Sequence, residues 1–459
     1  MSIPVSCDQM NKLTILGGGP AGLGAAFYAA RAGVPFVLFE RSGALGGMCR
    51  TFRHGEHFYD SGAHRFHARD SEVTRDLVEL MGDELIAVDA PSIVWDHGRF
   101  IDFPPTPLSV LSSYPLKEVI GIGFELLGVR LRPQPRISFQ DFAISQFGET
   151  LAHRILLNYS EKLWGLPADQ LSPDVATRRL SGMTLRSLFF ELLIPGKKTT
   201  HIDGSFLYPR HGYGRIADSL ASELPVDSIR VGYEVEALEC AKGRVTRIRF
   251  KGGETFAPPG RILSTLPLTL LAKLLGDELP EQARRAAGEL RFRHIRLIFI
   301  RLGRSQLSPN ASIYIPDPEF CISRLYEPKN RSSYMAPDHE TSLVVEVPCF
   351  TDDPIDRLSA DELADRVVSE LTQLSLITRD EVIEWKHHYL ANAYPVYTKN
   401  YADRVSIVKD ALKQIVNLDT IGRAGLFHYS HLHDQLRFGK DYVAELLSRD
   451  GPSLARSSE

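Results

Sequence analysis

The sequence predicts an α/β chain: a parallel sheet flanked by helices, interrupted by one mainly helical insertion and one sheet-containing insertion. Three observations predict it. A short buried strand, Leu13-Thr14-Ile15-Leu16, runs into a glycine turn, a helix of small apolar residues from Ala21 to Ala32, and a second buried strand from Pro35 to Phe39. Strand-type sequence that suits the same sheet returns near residues 230 and 420. Helical sequence fills Leu108 to Leu193, with breaks at Pro133, Pro135, Pro167 and Pro173. The expected organisation is a discontinuous parallel-sheet unit from residues 12–70, 205–270 and 405–447, a mainly helical insertion over 71–204, and a sheet-containing unit over 271–404.

The remaining elements follow in order. Ile93 to Phe103 alternates around Asp96-His97-Gly98, a hairpin signal. Ile229 to Leu263 reads as strands joined at Ala241-Lys242-Gly243 and Lys251-Gly252-Gly253. Leu297 to Arg301 and Leu343 to Val347 are strands around a loop with Pro316 and Pro318. A last helix spans His433 to Leu447, and the polar tail from Ser448 frays.

Composition narrows the function. With 53 basic and 57 acidic residues the net charge is -4, so no excess of positive charge points to nucleic acid. Five scattered cysteines without a CxxC fit a reduced, cytoplasmic protein and no zinc site. The start of the chain is too polar for a signal peptide, and Val119 to Leu131, with Glu125 and Arg130, is too short and charged to cross a bilayer.

Gly17-Gly18-Gly19-Pro20-Ala21-Gly22 satisfies G-x-G-x-x-G between a strand and a helix, with Glu40 closing the next strand eighteen residues after Gly22. Gly17 permits the tight turn, Gly19 lets backbone approach a pyrophosphate, and Gly22 lets helix and strand pack. The helix start offers free N–H groups. Glu40 would accept the adenosine ribose hydroxyls and repel a 2′-phosphate. A second glycine turn follows at once, Glu40-Arg41 through Gly46-Gly47-Met48 to Thr51. It lets backbone run beside an extended cofactor, and Arg41 can neutralise phosphate.

This run resembles the E-R-x-x-x-x-G-G-x-x-x-T/S signature of the FAD superfamily that holds amine oxidases, protoporphyrinogen oxidases, carotenoid desaturases and UDP-galactopyranose mutases. Tyr233-Glu234-Val235 is similar to the strand whose valine backbone reads adenine there, and Ser264-Thr265-Leu266-Pro267 to its ST-x-P strand end. The resemblance implies non-covalent FAD on a Rossmann-like domain of the glutathione-reductase type. No second G-x-G-x-x-G follows a strand, and Gly121-Ile122-Gly123 sits in helical sequence.

Within the superfamily, several segments resemble the UDP-galactopyranose mutases: Asp60 to His67, Asn158-Tyr159-Ser160-Glu161-Lys162-Leu163-Trp164-Gly165 with Leu171 and Arg178 downstream, Phe320 to Arg324, Ala393-Tyr394-Pro395-Val396, and Gly422-Arg423 through Tyr429. Two departures stand out. His431 replaces an aspartate, and the tyrosine near Pro209 has two candidates, Phe206 and Tyr208. The resemblance implies a mutase that interconverts the pyranose and furanose forms of a nucleotide sugar, with N5 of reduced FAD as nucleophile and NAD(P)H or another reductant as partner. It further implies that Arg324 and Arg178 clamp the diphosphate and that Tyr394 and Tyr429 donate to it. Trp164 would pack on the base, His64 would lie beside the flavin, and Arg423 with Gly422 and Leu432 would face the flavin pyrimidine. By composition alone Trp164 also suits a core, and Arg178 a solvated helix face. The histidines His64, His67, His428, His431 and His433 lack the context of a metal site. The alternative is an FAD oxidoreductase of the amine oxidase or protoporphyrinogen oxidase type, for which two arginines and two tyrosines converging on one pocket have no use.

Overall fold

A computed structural model describes residues 13–96, 98–103, 114–131, 136–179 and 205–450. A five-stranded parallel sheet runs in the order Leu418–Thr420, Ile262–Ser264, Leu13–Leu16, Phe36–Glu40, Ile229–Val231. Leu13 pairs with Phe36 on one side, and Thr14 with Ile262 on the other. Both inner strands near the start of the chain are buried throughout, which is why they read as unbroken apolar runs. Helix Pro20–Arg31 covers one face and packs along helix Leu432–Asp450. The contact is close because Gly439 faces the backbone of Ala25, where an added Cβ would lie 2.4 Å from a nitrogen. The last helix runs past Ser448, where the sequence reading let it fray.

An antiparallel meander of Val235–Ala241, Arg244–Phe250 and Thr255–Phe256 follows the fifth strand. Its first turn puts Lys242 and Gly243 at φ of 52° and 70°, the left-handed pair a two-residue hairpin requires.

A seven-stranded sheet forms the second layer, in the order Val382–Pro395, Phe292–Leu302, Thr341–Cys349, Arg324–Tyr326, Ser312–Tyr314, Ser92–Asp96, Arg99–Phe103. Here the sequence reading of 71–204 as a helical insertion needs correction. The hairpin at 92–103 is present apart from His97, outside the described residues, but it pairs in parallel with Ser312–Tyr314. Ile93 and Trp95 pack on the apolar core of that distant sheet, a tertiary gain that no local pattern announces. A further strand, Leu85–Val88, pairs with Phe206–Pro209.

The described helical material comprises Ser71–Met81, Leu116–Leu131, Phe139–Leu151, Asn158–Trp164 and Asp174–Arg179, with a π-turn over Ala152–Leu157. Residues 108–113, 132–135 with Pro133 and Pro135, and 180–193 of the expected helical run lie outside the described residues. We propose the three-unit division read from the sequence, with the hairpin at 92–103 moved to the sheet unit.

Candidate active site

Two glycine turns are pressed together at the head of the first sheet. Gly46 lies at φ 102° and donates its N–H to Gly18 O at 2.8 Å. A Cβ on Gly47 would stand 3.0 Å from Gly19 Cα, and one on Gly22 would stand 2.0 Å from Gly17 O. Gly19 differs. It is extended, and a Cβ there would meet nothing closer than Gly47 Cα at 3.9 Å. The open cradle lies at the N-terminus of helix Pro20–Arg31, where Pro20 stands in the first turn, Ala21 is buried and no side chain caps the free N–H groups. Glu40 sits at its edge, 9% exposed, and accepts from Gly18 N–H at 2.8 Å and from the N–H and hydroxyl of Ser42 at 2.9 Å. Arg41 is exposed beside it, and Val235 lies half-buried, paired with Phe250. This geometry separates two glycine substitutions. Gly19→Val should leave the melting temperature near wild type while abolishing flavin binding, measured by absorbance after gel filtration; retention of flavin would refute the cradle.

A wall of residues 60–64 faces this region. Met48 is half-buried there, and its carbonyl accepts from Ser61 Oγ at 2.7 Å. His64 Nε2 lies 3.3 Å from Ser61 Oγ, and its ring stacks on Tyr213 with centroids 5.0 Å apart. Burial, reinforced by Arg331, Arg324 and Arg423, pushes its pKa down to about 3, so the imidazole is neutral. Arg331, 1% exposed, fixes the wall by donating to His64 O at 2.8 Å. Beneath it the buried Asp60 carboxylate accepts from Thr51 Oγ1 at 2.6 Å, from Tyr213 N–H at 2.9 Å and from the Tyr208 hydroxyl. Of the two candidates near Pro209, Tyr208 thus carries a polar role, whereas Phe206 is core.

The resemblance makes Arg324 a clamp for the diphosphate, and the structure already pairs it with a carboxylate. Arg324 and Glu346 are directly opposed across adjacent antiparallel strands. The guanidinium grips the carboxylate through Nη2 at 2.7 Å to both oxygens and Nε at 3.1 Å to one. Glu346 is 2% exposed and also accepts from Ala63 N–H at 3.0 Å, beside His64. The pair is therefore charge-compensated, and only Nη1 of Arg324 makes no hydrogen bond to the described residues. Sequence reasoning missed Glu346, and it named Lys162 only within the segment 158–165, with no role. The Lys162 ammonium donates to the carbonyls of Ile315 at 2.7 Å, Ile322 at 3.0 Å and Asp317. It ties helix Asn158–Trp164 to the loop that leads to Arg324. Burial pushes its pKa down to about 8.

Arg423 has no carboxylate partner among the described residues. Its Cζ lies 4.8 Å from the Tyr394 ring and 4.4 Å from the Tyr429 ring, and those rings are near-parallel, 6.0 Å apart. Nε and Nη2 of Arg423 are buried without a hydrogen-bond partner among the described residues. Buried guanidinium donors call for an anionic partner. Burial raises the Tyr394 phenol well above its ordinary range, with Glu346 adding to the shift, so it stays a hydrogen-bond donor. Trp164 is 0% exposed, stacks on Tyr397 at 5.7 Å and meets Tyr394 edge-on at 5.9 Å. It backs the tyrosines from the core. Tyr429 N–H donates to the Tyr397 hydroxyl, which anchors the same cluster. Gly422 at φ 87° opens the short helix that carries Arg423, and Leu432 opens the last helix, 7% exposed. The structure thus gathers His64, Arg324, Tyr394, Tyr429 and Arg423. The Arg178 side chain lies outside the described residues.

Burial also holds His67 and His431 down to about 4 and 3, and His431 stacks on His433. No group of three histidine, cysteine or acidic side chains among the described residues is placed to hold a metal ion. The unfolded chain takes up protons on these rings below an ordinary pKa near 6.5, and the folded chain does not. Stability should therefore fall as pH drops from about 6.5 towards 4, by about 1–2 kcal/mol per histidine at pH 5. Melting temperatures at pH 7.5 and pH 5 check this. His431→Gln should flatten the slope, and a flat wild-type profile would refute it.

Comparison with known proteins agrees with this fold. The fold is similar to reduced UDP-galactopyranose mutase, with a TM-score of 0.84 at 20% identity over 96% of this chain and 94% of that one. It is also similar to a protein from Exiguobacterium sp. assigned as a protoporphyrinogen oxidase (TM-score 0.75, 21% identity, 96% and 99% covered). Wild-type putrescine oxidase bound to putrescine follows at 0.66 and 16% identity, with 96% and 99% covered. Mitochondrial dihydrolipoyl dehydrogenase of Pisum sativum is 36% identical over 94 residues, 18% of this chain and only 19% of that protein's length. The model of the flavin containing amine oxidoreductases matches residues 20–412, most of the chain. With that match and the paired glycine turns that suit a flavin nucleotide, the chain belongs to the flavin containing amine oxidoreductase family, whose members imply a flavin cofactor.

Proposed function

We propose that the protein is a flavin-dependent mutase that interconverts the pyranose and furanose forms of a nucleotide sugar. Reduced FAD, when bound, supplies a nucleophilic N5 for the anomeric carbon. The observation that carries this reading is the Arg423 guanidinium facing both the Tyr394 and Tyr429 rings, with two buried donors lacking a partner among the described residues. Flavin would rest with its pyrophosphate on the Gly19 cradle and its ribose at Glu40. Its ring system would lie between the His64 wall and Arg423. Neutral His64 leaves the reduced flavin free of a second cation on that side. Arg423, Nη1 of Arg324 and the phenols of Tyr394 and Tyr429 supply donors for a diphosphate that departs with its electron pair. Donors already in place cost no reorganisation when that charge develops. The reductant would be NAD(P)H or another donor in a reducing cytoplasm, and Cys49, Cys240, Cys321 and Cys349 are all unpaired.

A second reading has one observation behind it. Two parallel tyrosine rings could cage a substrate ammonium, as an amine oxidase would need. Arg423 already sets its positive charge against both rings, and a second cation there would meet like charge. The deciding experiment reduces the holoenzyme with dithionite without oxygen and supplies UDP-, dTDP- and GDP-sugars. Ring isomers formed over many turnovers, absent with oxidised enzyme, are the expected result by chromatography. Bleaching of the oxidised flavin by an amine, with stoichiometric oxidised product and no ring isomer, would decide for the oxidase.

A further inference from the structure

The helix Leu116–Leu131 is apolar on two sides. Ile122 and Leu126 pack into the core, next to helix Phe139–Leu151. The other side shows Leu116, Ile120, Phe124, Leu127 and Leu131, whose spacing of four, four, three and four keeps them on one stripe. Leu116 and Leu131 are 72% exposed and Phe124 70%, and exposed Ile137 lies just beyond the helix. Fifteen large hydrophobic residues are exposed among the described ones. Six of them fall within 116–137, and the other nine are spread over the rest of the chain. Scattered apolar residues need no explanation, whereas a continuous stripe calls for a partner.

Charge selects the partner. Both acids of the helix are engaged on the protein. Glu125 accepts from the N–H of Thr150 at 2.8 Å and its hydroxyl at 2.6 Å, and Glu118 pairs with Arg154 at 3.0 Å. Among the described side chains of the helix, Lys117 is the single exposed charge, and exposed Arg136 follows. Residues 114–137 hold Lys117, Arg130, Arg132 and Arg136 against Glu118 and Glu125, a net +2 in a chain of net -4. A second copy docked across a twofold axis would set this net positive stretch against its own copy, with both acids already engaged. A layer of anionic lipid headgroups suits both features: the stripe enters the acyl boundary and the basic ends meet phosphate. With 16 residues the helix lies on such a surface, and no described helix is long and apolar enough to cross one.

We propose that the helix Leu116–Leu131 seats this protein on an anionic membrane surface. The test is flotation of the full-length holoprotein with vesicles of phosphatidylcholine containing phosphatidylserine, against vesicles of phosphatidylcholine alone. Wild type should float with the anionic vesicles and be released by high salt. Phe124→Asp/Leu127→Asp should cut the floating fraction by roughly tenfold or more. Lys117→Glu should weaken it several-fold, since each basic residue at such a surface contributes about a fivefold change in partition. These positions are solvent-facing, so bound flavin and melting temperature should match wild type in all variants. Equal flotation with both vesicle types would overturn the electrostatic basis. Absence of flotation would overturn the proposal outright, whether sedimentation then shows a dimer broken by the double substitution or a monomer throughout.

Discussion

Arg324→Ala should destabilise the folded protein by about 3–5 kcal/mol, because it leaves a buried carboxylate without its counter-ion. Glu346 is 2% exposed and takes three short contacts from that one guanidinium. Ala63 N–H remains as a donor, but one neutral hydrogen bond does not replace a bidentate cation. Thermal and urea unfolding of the flavin-free protein measure the loss apart from any ligand. The double variant Arg324→Leu/Glu346→Leu should recover most of it, since replacing both members of a buried pair removes the desolvated charge. If the single and double variants unfolded alike, the pair would not be the cause. The same comparison isolates the ligand role: the double variant should fold and still bind nucleotide sugar weakly.

Gly22→Ala should be nearly as costly, at about 3 kcal/mol, and should also abolish flavin binding. The added Cβ would stand 2.0 Å from the Gly17 carbonyl oxygen and 3.4 Å from Ile15 Cγ2. A backbone oxygen cannot rotate away, so the helix must lift off the strand and carry its free N–H groups with it. This is the opposite pattern to Gly19→Val, where the fold survives and only the cradle is filled. Wild-type stability and flavin content in Gly22→Ala would refute the close approach.

What could be read from the sequence divides by distance along the chain. The strand, glycine turn and helix at 13–31 and the acid at Glu40 are set by local sterics, so their spacing announced them. The tyrosines and Arg423 carried recognisable neighbours such as Pro395 and Gly422. Glu346 had no such signal. It lies after the apolar Leu343-Val344-Val345, and its partner faces it only through the register of two strands 22 residues apart in sequence. The hairpin at 92–103 was legible as a hairpin, yet its sheet was not, because the strand it joins lies more than 200 residues later. Trp164 shows the limit from another side. Its composition suits a ligand platform and a core position equally, and only packing against Tyr397 decides for the core.

The five-stranded sheet has a consequence for how the protein is made. Its central strand Leu13–Leu16 takes one neighbour from Phe36–Glu40 but the other from Ile262–Ser264, which in turn waits for Leu418–Thr420. At ribosomal speeds those last residues emerge about 20–80 s after the first strand. Until then the nascent chain holds the glycine turns without the helix Leu432–Asp450 that clamps their helix. Each late strand is only three residues long, so the waiting edges are short and offer little template for pairing with another chain. Cofactor loading is therefore expected only after the C-terminal strand and helix have joined the sheet, and a chain stalled before Leu418 should bind no flavin.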